Sequence, residues 1–199
     1  SAFNSDAIDE FTLYKSNIPT KYGGRLASIF EIKAKQGNQK KFSARGGLSP
    51  ITGRILVEGP LVKDKAGYLI GLRSTYSDWL LTKVKNRDIK NSSAKFSDAI
   101  TNINYKINDN NSLKLFGYYS TDYVNLAGDN LYDYENGGGA LSWNHIIKNK
   151  HNLSLHLVHS LYNFRKENSE KDISASKLDY GLSHTEFRSS LALQTSNDH

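Results

Sequence analysis

The chain has 199 residues, a formal net charge of +6, a hydrophobic fraction of 38% and a mean hydropathy of −0.57, with 12 tyrosines and neither cysteine nor methionine. Without cysteine there are no disulfides, thiolate metal centres or cysteine nucleophiles, and apolar runs as short as Tyr68-Leu69-Ile70 exclude a membrane-spanning helix. The positive charge is spread along the chain and no nucleic-acid-binding motif accompanies it, so no nucleic-acid partner is expected.

Residues 1–37 intersperse Asp6, Asp9, Glu10 and Lys15 with apolar residues and show no clean alternation. From residue 38 the pattern changes to period two, in segments of about ten residues separated by polar turns. Strands are expected near 40–49, 51–59, 66–80, 96–107, 112–124, 138–147, 152–165 and 177–194. In the third, Tyr68, Ile70, Leu72 and Tyr76 share one face while Gly71, Arg73 and Thr75 share the other. Leu113, Leu115, Gly117 and Tyr119 alternate in the same way with Lys114, Phe116, Tyr118 and Ser120, and Leu153, Leu155 and Leu157 with Ser154, His156 and Val158. One row suits lipid, the other water.

Val62–Lys65, Asn108–Asn111 and Lys148–His151 read as tight polar turns. Thr82–Lys95, Asn125–Gly138 and Glu167–Ser176 read as long loops, so that short and long connections alternate. That asymmetry is expected of an outer-membrane barrel, with turns on the periplasmic side and loops outside. Gly59-Pro60 is expected to end a strand, because proline cannot donate to a ladder.

Ile18-Pro19-Thr20-Lys21-Tyr22-Gly23-Gly24-Arg25-Leu26-Ala27-Ser28-Ile29-Phe30-Glu31-Ile32-Lys33-Ala34-Lys35-Gln36-Gly37 resembles the end of the plug domain of TonB-dependent outer-membrane receptors, where a Tyr-Gly-Gly turn leads into a short strand and a Lys-x-Gly exit. Ile8–Lys15 looks like the plug strand before that turn, and Arg54–Lys65 followed by Leu72–Tyr76 looks like the family's first barrel hairpins. The resemblance covers about residues 8–77 and is carried afterwards by strand periodicity alone. It implies an all-β chain: the C-terminal part of a plug domain at 1–37, then an antiparallel transmembrane β-barrel segment at 38–199. It further implies a receptor that binds a ligand outside the cell and imports it by energy-coupled plug movement. The expected partners are outer-membrane lipids and lipopolysaccharide, an energy-coupling inner-membrane complex, the imported ligand and a surface lipoprotein, all at the outer membrane of a Gram-negative bacterium. The energy-coupling box, the first part of the plug and a closing aromatic-ended strand are missing. Eight strands fill their own lumen and cannot enclose a plug, so a segment of a larger barrel is expected.

The plug turn falls on Tyr22, Gly23, Gly24 and Arg25, where the glycines permit a tight turn. Arg25 and Glu31 are candidates to pair across water with inward-facing Arg54, Glu58 and Arg73. Asp129, Tyr132, Asp133 and Tyr134 form an acidic and aromatic candidate ligand loop, suited to a cation or a sugar-like ligand; membrane-interface tyrosine is the plainer reading. The basic stretch with Lys83, Lys85, Arg87, Lys90 and Lys95 suits anionic lipopolysaccharide or, more simply, solvent. His156 and His159 fall on opposite faces of one strand and cannot share a metal, and Gly137-Gly138-Gly139 lacks the lysine or helix of a phosphate loop. No catalytic constellation, metal or cofactor is expected. The competing architectures are a small closed barrel serving as anchor or adhesin, and a soluble β-sandwich binding module whose apolar rows form an ordinary core.

Overall fold

The computed structural model describes residues 4–15, 18–19, 28–126, 130–148, 150–168 and 176–194. About three quarters of them are strand. A short 3-10 turn, Ser5–Ala7, is capped by the Asn4 side chain, which accepts from the Asp6 amide at 3.1 Å. It leads into β1 (Ile8–Tyr14), which pairs antiparallel with β2 (Ile29–Ala34) in a two-stranded sheet. The remaining strands form one antiparallel sheet of eight in chain order: β3 (Ser43–Leu48), β4 (Thr52–Val62), β5 (Ala66–Thr75), β6 (Ser93–Asn108), β7 (Asn111–Leu126), β8 (Asn130–Ile147), β9 (His151–Asn168) and β10 (Ser176–Ala192). Strands β3 and β10 bound the sheet and do not pair with each other, so among the described residues it does not close on itself.

The predicted phase holds. Ile70, Leu72, Leu115, Leu141, Leu157 and Leu161 lie on one face and are exposed. The opposite face carries the buried side chains Leu69, Ile100, Asp98, Asn102, Asn104, Ser120 and Ser154, and the leader lies against it. Leu56, Leu69 and Ile100 close over Ala7, with Ala34, Phe116 and Tyr118 packed around them. This is a small core for so long a chain, because each strand buries at most one row.

Several element boundaries differ from the sequence expectation. The stretch Asn125–Gly138 is not a long loop: β7 and β8 remain in register out to Leu126 and Asn130. Tyrosines and charges alternate there as well as in any strand, and a strand standing in water needs no apolar row to stay paired. A single-turn helix, α1 (Asp78–Leu81), precedes Thr82–Lys95, a second, α2 (Arg87–Lys90), lies within it, and β6 already begins there at Ser93. Strand β5 stops at Thr75 instead of continuing to 80, and Ser77 and Asp78 begin the helical turn. The link between β3 and β4 is short and falls at the same end as the 76–92 connection, so the strict alternation of connection lengths does not hold. Pro60 does not end β4. The strand continues to Val62 past an irregularity in the ladder, tolerated because the β3 ladder reaches only to Glu58 and leaves one side of β4 without a partner there. The 63–65 turn places Asp64 at φ 59°, a left-handed conformation that aspartate accepts.

Candidate functional site

The inward face divides into a leader-bearing half near the short turns and a bare half toward the opposite end. In the first, the chain leaves the leader across the wall. Gly37 and Gly67 meet backbone to backbone: a Cβ on either would fall inside the van der Waals envelope of the other segment's main chain. Around this crossing the Asn102 amide donates to the Lys35 carbonyl at 2.9 Å, and the Asp64 N–H donates to the Gln39 carbonyl at 2.9 Å. The Lys35 N–H returns to the Ala7 carbonyl at 2.9 Å, while its Nζ donates to the Asp6 carbonyl at 2.8 Å. The exit is therefore tied both to the wall and to the start of the leader.

Of the residues expected at this interface, Arg54 does reach the leader, by an ion pair with Asp6 at 3.2 Å. Arg73 bonds Asp98 at 2.6 Å within the wall, its guanidinium lying 4.9 Å from the centre of the Phe96 ring. Glu58 pairs with Arg45 at 3.0 Å on the neighbouring strand. Glu31 accepts from the Tyr14 hydroxyl at 3.3 Å inside the leader hairpin. Tyr22, Gly23, Gly24 and Arg25 lie outside the described residues. Asp6, Asn4, Asp98 and the Gly67 crossing were missed as interface residues, since no local pattern marks which polar residue of a leader meets which strand. The pair of exposed residues Glu10 and Lys33 ties β1 to β2 at 2.6 Å. Its hydrogen bond and charge hold the Glu10 carboxyl below its usual range and push the Lys33 ammonium up.

The second half is built on β7–β10. Tyr132 and Tyr134 stand on β8 with Lys166 and Phe164 of β9 opposite them, Lys166 Nζ at 5.6 Å from the Tyr132 ring and Phe164 at 4.9 Å from Tyr134. Tyr162 and Tyr180 meet edge to face at 6.4 Å. These rings share the inward face with Tyr118, Leu178 and Leu182, as the register requires. Asp133 belongs to the other face, beside Arg165, which bonds Asp179 at 2.9 Å. The outward face at this height also carries Glu135, which accepts from Tyr119 at 2.7 Å and Asn163 at 2.9 Å. The expected ligand loop is thus split by the pleat into an aromatic inward row and a charged outward one, and Asp129 lies outside the described residues.

Gly137-Gly138-Gly139 sits in mid-strand on β8. Gly138 points inward between Tyr118 and Ser160 and floors a cavity of about 370 Å³ walled by Tyr118, Tyr162, Phe116 and Leu182. His156 bonds Ser142 on the inward face and His159 bonds Thr185 on the outward one, each at under 3 Å, as their opposite phases demand. Lys95 lies at the start of β6 and pairs with Asp78 at 2.7 Å, while Lys83, Lys85 and Lys90 are exposed. No family model matches the chain, and no curated protein and no solved structure matches it.

Proposed function

We propose that the chain is part of an outer-membrane receptor that imports a ligand: its eight-stranded sheet is a section of barrel wall, and residues 1–37 are the end of a plug lying within. The observation that carries this reading is the placement of a polar leader on the polar face of a sheet whose other face is an exposed apolar belt. Across that belt run Tyr68, Ile103, Leu115, Leu141, Leu157 and Phe187 in one continuous register row. Tyr105 and Trp143 stand in the next row toward the short turns, and Tyr119 and Tyr123 stand toward the other end. The row that holds Tyr123 is otherwise charged, with Lys95, Asp133, Arg165 and Asp179. A tilted strand needs about 9–11 residues to cross a bilayer, and the stretch of β7 from Asn111 to Thr121 fits that span. A soluble sandwich supports none of this, since it would cover the apolar row with a second sheet and leave the polar row wet, whereas here the leader lies on the polar row.

On this reading the leader is held by contacts that can be remade: one exposed ion pair and a few hydrogen bonds around a small apolar centre. The test is a tether. Cysteines replacing Asp6 and Arg54, whose longer side chains meet tip to tip at 3.2 Å, can be bridged by a thiol-reactive reagent that forms a disulfide at each end and makes up the lost side-chain length, in a segment with no cysteine of its own. In the full-length receptor the oxidised tether should leave ligand binding intact and abolish uptake, with reduction restoring it. Normal uptake with the cross-link verified as formed rules out the moving plug. Surface labelling of a cysteine at Asp109 but not at Lys90 in intact cells reverses the orientation.

A further inference from the structure

The alternation changes sense along β8, β9 and β10. Through the belt, the outward row is apolar and the inward row polar. Farther from the short turns, the outward row carries Asp133, Glu135, Asn163, Arg165 and Asp179, and the inward row carries Tyr134, Tyr162, Phe164, Leu178, Tyr180 and Leu182. Leu178, Tyr180 and Leu182 are more than half exposed, so no described residue covers them. A wall that has left the membrane has no lipid to satisfy, and water on both sides asks for polar residues on both. Tyr123 of β7 stands on the outward side, but on β8–β10 the rings gather on the inner side, with Lys166 among them, and call for an occupant there.

We infer that this inward face binds a neutral ring bearing hydroxyl groups, a sugar residue of an oligosaccharide, in the slot floored by Gly138 between Tyr118 and Tyr162. The inference rests on the importer reading above and names its ligand class. Three features select the ligand. Phe116, Tyr118 and Tyr162 line the slot, and the negative π-clouds of aromatic rings attract the weakly positive C–H face of a saturated ring. Its polar groups, Asn136 and Ser160, are an amide and a hydroxyl, able to donate and accept at the ring's edge. No charged side chain lines it, which disfavours an ionic ligand. A flat aryl ligand would satisfy the rings and leave Asn136 and Ser160 without partners, and an aliphatic protein contact would do the same. The cavity, about 370 Å³, falls within the size range of small-molecule sites. Two of its wall residues, Phe116 and Tyr118, also pack on the core that holds Ala7. The occupant therefore touches the side chains on which the leader rests.

The experiment uses the full-length receptor in detergent, screened against an array of neutral and anionic oligosaccharides and catechol-type aryl compounds, followed by calorimetry on the best binder. The expected result is binding of neutral oligosaccharides, weakened about tenfold or more, ~1.4 kcal/mol, by Tyr162→Ala and by Gly138→Leu. A Cβ at Gly138 meets only the His159 carbonyl, at 3.6 Å, so leucine fills the slot without disturbing the ladder. Tyr162→Phe keeps the ring and should stay within about threefold, because stacking supplies most of the contact. Binding only of anionic or aryl compounds, binding of nothing, or undiminished sugar binding in both Tyr162→Ala and Gly138→Leu overturns the inference. Those outcomes in a protein that assembles in the outer membrane leave the importer reading standing. Failure to reach that membrane removes both.

Discussion

The leader hairpin and the wall are both antiparallel β-structure, yet they are held by different forces. The wall is a continuous ladder in which each central strand is bonded on both sides, and its apolar row looks away from the leader. The hairpin's ladder, among the described residues, joins β1 and β2 alone, with Phe11 and Phe30 stacked at 5.5 Å and half-exposed. It meets the wall through Ala7, one ion pair and a backbone crossing. A permanent partition needs the first kind of construction; a part that must shift needs the second.

The comparison can be broken at four places. The largest effect is expected from Arg73→Met, which leaves the Asp98 carboxylate, 1% exposed, without its cation. Its Oδ1 is already buried without a hydrogen-bond partner among the described residues. Loss of one member of a buried pair costs about 3–5 kcal/mol, and the double change Arg73→Met with Asp98→Leu should recover most of it. Heat-modified mobility of the assembled protein measures both, and equal losses for the single and double changes would exclude the pairing. Next comes Leu157→Arg in the outward row, expected to cost roughly 2–4 kcal/mol if that row faces lipid. Phe11→Arg in the half-exposed hairpin should be nearly silent, and equal tolerance of both would remove the distinction between wall and leader.

Gly67→Val is predicted to act on the crossing alone. The new side chain collides with the Gly37 backbone at a cost of about 1–3 kcal/mol, lifting the leader from an otherwise assembled wall. Proteolysis should then appear near residues 35–40, and unchanged protection would mean that the crossing is not close. The smallest effect belongs to Glu10→Gln. The Glu10 carboxyl is depressed in the folded leader, so its contribution is present above the unfolded carboxylate value and fades as pH falls through the folded one. Hydrogen exchange of β1 amides should rise in acid in the native protein, and the glutamine variant should lack that step.

The architecture was legible in the sequence because period two survives wherever one row must be apolar. Ile70, Leu72, Leu115 and Leu157 all stand on the expected face. Where tyrosines and acids share a strand, the same reading failed: Tyr132 and Tyr134 looked like loop because tyrosine and acid together carry no strand signature. The site was harder still. That Arg54 meets the leader was foreseen, but its partner Asp6 lies 48 residues upstream, and only the tertiary path of the chain decides which leader residue arrives beside it. Gly37 and Gly67 each look like ordinary turn punctuation until the two backbones are seen to touch.

The hairpin's register has a mechanical meaning. Ile8 pairs with Ala34 at one end and Tyr14 with Ile29 at the other, so the segment entering β1 and the segment leaving β2 emerge side by side. The departing segment is fastened at the Gly37 crossing. A load drawn on the chain ahead of Asn4 therefore falls on the Asp6–Arg54 pair and the Lys35–Ala7 bond, and then on the Ile8–Ala34 rung, one after another. Bonds stressed in sequence yield at far lower force than bonds sheared together. The wall takes up this load first at Arg54, before the crossing is reached.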